Sequence, residues 1–136
     1  TSHARAYHKM SRDFQIVGLV SRGADSRRKL NAEFGGRYPE FADYADALAR
    51  TKPDAVCIST YPDTHAAYAI AALEAGAHVF LEKPVAETVA ECERVIATAS
   101  SSGAMKPCPD VAASSILRPP LNTNIAAMSA SGGRSM

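Results

Sequence analysis

The sequence predicts an α/β fold, a parallel sheet with helices on both of its faces. Short apolar runs of strand length alternate along the chain with segments of helical character, and the connections between them are short. One run, Ala55-Val56-Cys57-Ile58-Ser59-Thr60, is apolar almost throughout instead of alternating. Such a run fits a strand covered on both faces, as in parallel sheets. Strands that alternate with helices through short loops build parallel sheets with right-handed crossovers.

Each element follows from local chemistry. Ala4 to Met10 reads as the end of a helix. Phe14-Gln15-Ile16-Val17-Gly18-Leu19-Val20 is mostly apolar, with β-branched residues at its centre, and predicts a strand. Ala24 to Phe34 is a polar-faced helix, stopped by Gly35-Gly36. Arg37-Tyr38-Pro39 allows at most a short, edge-like strand, because proline removes a ladder donor. Asp43 to Arg50 predicts a short helix, and Lys52-Pro53-Asp54 a turn. After the apolar run, Asp63 or Thr64 is expected to cap a helix that continues through Ala75 and stops at Gly76. Its alanine-rich, nearly all-apolar sequence implies packing on most sides. Ala77 to Leu81 predicts the next strand. Glu87 to Ser100 predicts a helix with an apolar face at Val89, Cys92, Val95 and Ile96.

From about Ser101 the character changes. Residues 101–136 hold four prolines, seven serines and one acidic residue, with no sustained period of strand or helix. Residues 1–100 are therefore read as one partial domain, and 101–136 as an atypical Ser/Pro-rich tail, expected to be disordered or foreign to the fold. Val111 to Leu117 is a weak strand candidate within it. A length of 136 residues leaves room for one domain at most.

Composition excludes several classes of function. Fifteen basic and 14 acidic residues give a net charge of +1, too little to attract nucleic acid or acidic lipid. No apolar run reaches the roughly 18 residues that a membrane span needs. The opening Thr1-Ser2-His3-Ala4-Arg5 has no apolar core of a signal peptide, and it lacks an initiator Met. Cys57, Cys92 and Cys108 are odd in number and widely spaced, which is neither a disulfide framework nor a zinc motif. Cys57, inside an apolar run, reads as a buried inert thiol, and a reducing, cytoplasmic setting is expected. His3 and His8 are five apart, off a common helical face, and do not form a metal pair.

Ligands of open parallel α/β sheets bind beyond the carboxyl ends of the strands. Three such ends are visible: Ser21-Arg22-Gly23, Tyr61-Pro62-Asp63-Thr64-His65 and Glu82-Lys83-Pro84. Each is polar and abrupt, as the rim of a site should be, although loops of this kind are ordinary in any α/β protein. Together they are more specific. Asp54-Ala55-Val56-Cys57-Ile58-Ser59-Thr60-Tyr61-Pro62-Asp63-Thr64-His65, followed by Glu74-Ala75-Gly76-Ala77-His78-Val79-Phe80-Leu81-Glu82-Lys83-Pro84, closely resembles the Gfo/Idh/MocA oxidoreductases, the family of glucose–fructose oxidoreductase and inositol dehydrogenase. Tyr61 separates the Thr and Pro that are adjacent in that family's pattern. The resemblance runs from about His3 to Ala99.

The resemblance implies a Rossmann-type domain that binds NAD or NADP, and hydride transfer to or from a sugar or polyol-like alcohol. It places Lys83 as the catalytic residue beside the nicotinamide and the substrate hydroxyl. Oxidising a secondary alcohol requires a group that stabilises alkoxide charge or relays the proton, and a partly desolvated ammonium meets that need. Without the surrounding pattern, Lys83 would read as a solvated loop lysine. Glu82 is implied as a structural or cofactor-side residue. His65 is implied near the cofactor or in shaping the loop, against the alternative of an ordinary helix-start histidine. Thr60 and Pro62 would line the cofactor groove through backbone shape, and His78 is read as structural. At the end of the first predicted strand, Ser21-Arg22 stands where an NAD-preferring domain places an acidic residue for the ribose. A guanidinium there suits the 2′-phosphate of NADP, with a solvated arginine as the competing reading. Arg27 and Arg28 either join that patch or face water.

The family pattern begins with a strand and a G-x-G-x-x-G loop before the His-Ala-x-x-Tyr that this chain has at its start. The sheet is accordingly expected to lack its first, central strand and the amides that cradle a pyrophosphate. The chain alone is then expected to be inactive and to fail to bind NADPH with micromolar affinity. In the family a second, sheet-based domain carries substrate contacts and mediates association, so homo-oligomers are expected only with that domain. The rival from another class is a non-catalytic nucleotide-binding or regulatory α/β module, which predicts cooperative unfolding without cofactor. Another Rossmann dehydrogenase family fits less well, because His65 and Glu82-Lys83-Pro84 occur together.

Overall fold

The structure is a computed structural model and describes residues 2–102 and 123–129. The elements run α1 (Ser2–Lys9), β1 (Phe14–Val20), α2 (Ala24–Glu33), β2 (Glu40–Phe41), α3 (Tyr44–Thr51), β3 (Ala55–Ser59), α4 (Pro62–Glu74), β4 (His78–Leu81), α5 (Val89–Ser101) and β5 (Thr123–Ser129). All strand pairs are parallel, in the order β2-β1-β5-β3-β4.

The helices end where the sequence marks an end. Asp43 caps α3 by accepting from the Asp46 N–H at 2.8 Å. Thr88 and Glu91 form a reciprocal capping box at α5. Gly35, Gly36 and Gly76 take positive φ after α2 and α4, a conformation that costs a side-chain-bearing residue a clash with its own backbone. At α4 the expectation is corrected. Tyr61 is the N-cap, Pro62 sits in the first turn, and no side chain caps the helix. Proline is tolerated there because its missing N–H is one that a helix start leaves unpaired anyway.

Two cores lie on opposite sheet faces. Ala4, Ile16, Leu19, Leu30, Phe34 and Cys57 pack together where α1 and α2 cover the sheet. Val20, Tyr44, Val56, Ile58, Ala69 and Leu73 belong to the other core, beneath α3 and α4. In β3 the two faces alternate as Val56, Cys57, Ile58, the double burial expected of its apolar run. In β1 the alternation is broken by a register shift between Ile16 and Gly18, which puts Ile16 and Leu19 in one core although they are three apart. Packing is tight at Gly18: a Cβ there would lie 3.1 Å from Cε2 of Phe41, so the ring would have to give way.

The strand expected to be missing is replaced. Thr123–Ser129, placed by sequence outside the fold, forms β5 between β1 and β3, pairing Ile125 with both Ile16 and Ala55 and Ser129 with Ser59. This corrects two expectations at once, a sheet without a central strand and a tail foreign to the fold at these positions. Local propensity gave no sign of it, since the segment holds two alanines and one β-branched apolar residue. A slot flanked by two unpaired strand edges selects for backbone pairing and small side chains, and Ala126 is 2% exposed there. The weak strand candidate at Val111 to Leu117, and Cys108, lie outside the described residues.

The apolar face expected on α5 holds only in part. Val95 is buried, but Val89 is 75% and Ile96 57% exposed, because α5 packs on α4 along one narrow stripe.

Candidate functional site

The carboxyl ends of β1, β2, β3 and β4 all open on one edge of the sheet, since every strand is parallel to its neighbours. There, between β1, β2 and β3, lies a cavity of about 450 Å³ lined by Ser21, Arg22, Asp43, Thr60, Tyr61 and Asp63, among others. Of the site residues predicted from sequence, the structure brings Ser21, Arg22 and Thr60 together in this cavity. Pro62, His65, Glu82 and Lys83 are not among its walls.

Ser21 is buried, and its hydroxyl has no hydrogen-bond partner among the described residues. Arg22 is exposed on the rim. Arg27 neither joins a basic patch nor faces water: its Nη1 donates to the Ser21 carbonyl, and its Nε lies 3.9 Å from Glu40 Oε2. Glu40 Oε1 also accepts from Asn31 Nδ2 at 2.8 Å, and Asn31 Oδ1 accepts the Tyr38 N–H. This part-buried network ties the turn after β1 to α2 and β2. Arg28 is exposed. On the far wall, Thr60 and Thr64 share a hydrogen bond of 2.8 Å, and Tyr44 donates to the Tyr68 carbonyl at 2.8 Å.

Around β4 the geometry differs from the expectation. Lys83 is exposed rather than partly desolvated, and the Lys83–Pro84 peptide bond is cis. Glu82 Oε2 lies 2.8 Å from His3 Nε2 on α1, and that hydrogen bond holds the Glu82 carboxyl below its usual range. Local sequence does not pair His3 with Glu82, because the two lie 79 positions apart. His65 is 1% exposed, with Nδ1 2.6 Å from the Pro84 carbonyl and Nε2 3.1 Å from the Thr60 carbonyl. Its ring therefore faces two backbone oxygens and presents no free nitrogen to a ligand. His78, read as structural, opens β4 and is exposed. No group of three metal-ligating side chains occurs among the described residues.

Comparison with known proteins places this geometry in context. The profile described as the oxidoreductase family with an NAD-binding Rossmann fold matches residues 1–106. An inositol 2-dehydrogenase of Saccharopolyspora erythraea is 32% identical over 101 residues, which is 74% of this chain and 29% of that protein. The 4-carboxy-2-hydroxymuconate-6-semialdehyde dehydrogenase of Sphingobium is 36% identical over 89 residues, 65% of this chain and 28% of that one. Among solved structures, UDP-N-acetylglucosamine 3-dehydrogenase of Acidithiobacillus ferrooxidans superimposes with a TM-score of 0.65 at 31% identity, covering 75% of this chain and 32% of its own. The WlbA dehydrogenase of Bordetella pertussis, solved with NADH and UDP-GlcNAcA, gives 0.60 at 26% identity, covering 64% and 26%. The chain thus spans less than a third of the length of these relatives.

Proposed function

The chain belongs to the Gfo/Idh/MocA oxidoreductases, and from that premise we propose that it supplies the cofactor-binding part of an enzyme that moves hydride between a nicotinamide dinucleotide and a sugar or polyol-like alcohol. The supporting observation is the meeting of Ser21, Arg22 and Thr60 in one cavity of about 450 Å³ at the carboxyl ends of β1 and β3. That is where a doubly wound sheet receives the adenosine half of a dinucleotide. The residues fit the group: Ser21 has an unpartnered hydroxyl, and Arg22 supplies a free guanidinium at the rim. With no carboxylate directly after β1, NADP is the preferred form over NAD.

The bound nicotinamide supplies or accepts the hydride. This chain's residues hold the adenosine end and carry Lys83 on the loop after β4. Lys83 is the residue we assign to the substrate hydroxyl, where an ammonium donates to developing alkoxide charge or passes on its proton. Being exposed, Lys83 needs a covering element to work in a dry site.

The test is an amide NMR titration of the chain with NADPH and with NADH at millimolar concentration. Shifts confined to the neighbourhood of Ser21, Arg22 and Thr60, larger with NADPH, are expected. No shifts, or shifts elsewhere, overturn the reading. One observation favours a second reading, a non-catalytic nucleotide-binding module: β5 closes the sheet. A sharp thermal transition without cofactor is the outcome that reading predicts.

A further inference from the structure

Lys83 sits between two anchored neighbours. On one side, the Glu82 N–H donates to the Ile58 carbonyl at 3.0 Å, and the Glu82 carboxylate meets His3. On the other, the Pro84 carbonyl meets His65 Nδ1 at 2.6 Å. His65 is almost fully buried, and a polar ring is costly to bury unless it is hydrogen-bonded. An aliphatic side chain would fill the same volume without that cost, so packing alone does not account for an imidazole here. The two oxygens it faces belong to two different loops: Thr60 lines the cavity, and Pro84 follows Lys83.

Both oxygens are acceptors, whereas a neutral imidazole has a single N–H. The shorter contact is the one to Pro84. We infer that His65 is a positioning residue: held as the Nδ1–H tautomer, it tethers the Pro84 carbonyl and so fixes the loop that presents Lys83. The inference rests on assigning Lys83 to the substrate hydroxyl. The tether itself is read without cofactor, so it stands or falls separately from cofactor binding. It also separates His65 from direct contact with a ligand, because the ring is almost fully buried and both nitrogens face backbone oxygens.

Two measurements on the full chain test it. Nitrogen-15 imidazole NMR of the wild type is expected to show a protonated Nδ1 and a bare Nε2 for His65. The opposite tautomer would put the tether on Thr60 and overturn the inference. The second compares His65→Asn with His65→Gln, since an Asn amide takes the place of Nδ1–H and a Gln amide that of Nε2–H. The readout is the rate of reductive methylation at Lys83, with Lys9, Lys29 and Lys52 in the same sample as references. The Gln variant is expected to change the Lys83 rate alone, and the Asn variant to restore the wild-type rate. Equal rates in both variants, or parallel changes at all four lysines, show a purely structural role and sink the proposal. If neither variant folds, the tautomer measurement on the wild type decides.

Discussion

His3 on the first helix and Glu82 after the fourth strand meet at 2.8 Å, tying the start of the described chain to the loop that carries Lys83. The contact holds the Glu82 carboxyl below its ordinary value of 4.5. A carboxyl with a depressed folded pKa stabilises the fold above its unfolded pKa, and that contribution is lost as pH falls through the folded value. Glu82→Gln is therefore expected to melt below the wild type at pH 6, with the gap closing as the pH is taken down below 4.5. The pair is part-exposed, so the gap should also shrink in high salt. Thermal melts across pH and salt check both trends; a gap that persists in acid rules out the ion pair as its cause.

Ala126 on β5 is 2% exposed in the middle of the sheet. Ala126→Glu puts a carboxylate into that slot and is expected to cost about 3 kcal/mol or more, or to prevent folding. Urea denaturation reads the loss. A variant as stable as the parent would show that Thr123–Ser129 does not occupy the centre of the sheet.

Burial pushes the Cys57 thiol up to about 11 and the Tyr7 phenol up to about 12. A thiol held that high has almost no thiolate at pH 8, and Cys57 is also closed to reagents. Native protein at pH 8 should leave Cys57 unmodified by a thiol-specific reagent, and unfolding in urea should release it. Peptide mapping after labelling gives the answer, with the half-buried Cys92 as the comparison.

Arg22 tests cofactor choice. If its guanidinium meets a 2′-phosphate, Arg22→Ala should weaken NADPH by about 1.5 kcal/mol, roughly tenfold, while NADH is unchanged. Equal losses for the two cofactors would remove the reason to prefer NADP.

Packing at Gly18 gives a fourth site of expected damage. A Cβ there comes within 3.1 Å of the Phe41 ring, so Gly18→Ala should destabilise by about 1–2 kcal/mol through displacement of that ring. Phe41→Leu in the same background should recover part of the loss in a double-mutant cycle.

Much of the fold was legible along the chain. The apolar run at Ala55 and the β-branched run at Phe14 became β3 and β1, and Gly35, Gly36 and Gly76 stopped their helices as expected. Ser21, Arg22 and Thr60 were nameable as rim residues, since strand ends in parallel sheets form one edge. The cap of α4 was misplaced because Pro62 starts that helix without a side-chain acceptor. The apolar face of α5 was over-read because periodicity reports what a helix can bury, not the width of the surface offered to it.

The sequence by itself determined what depends on neighbouring residues: the parallel α/β alternation, the turn glycines and the motif that assigns the family. Tertiary structure decided what depends on residues far apart. It recruited Thr123–Ser129 into the centre of the sheet, joined His3 to Glu82, and turned both nitrogens of His65 onto backbone carbonyls. The physical reason is common to all three. Each brings together polar groups from distant parts of the chain, and no local propensity records which partner the closed sheet will bring within reach.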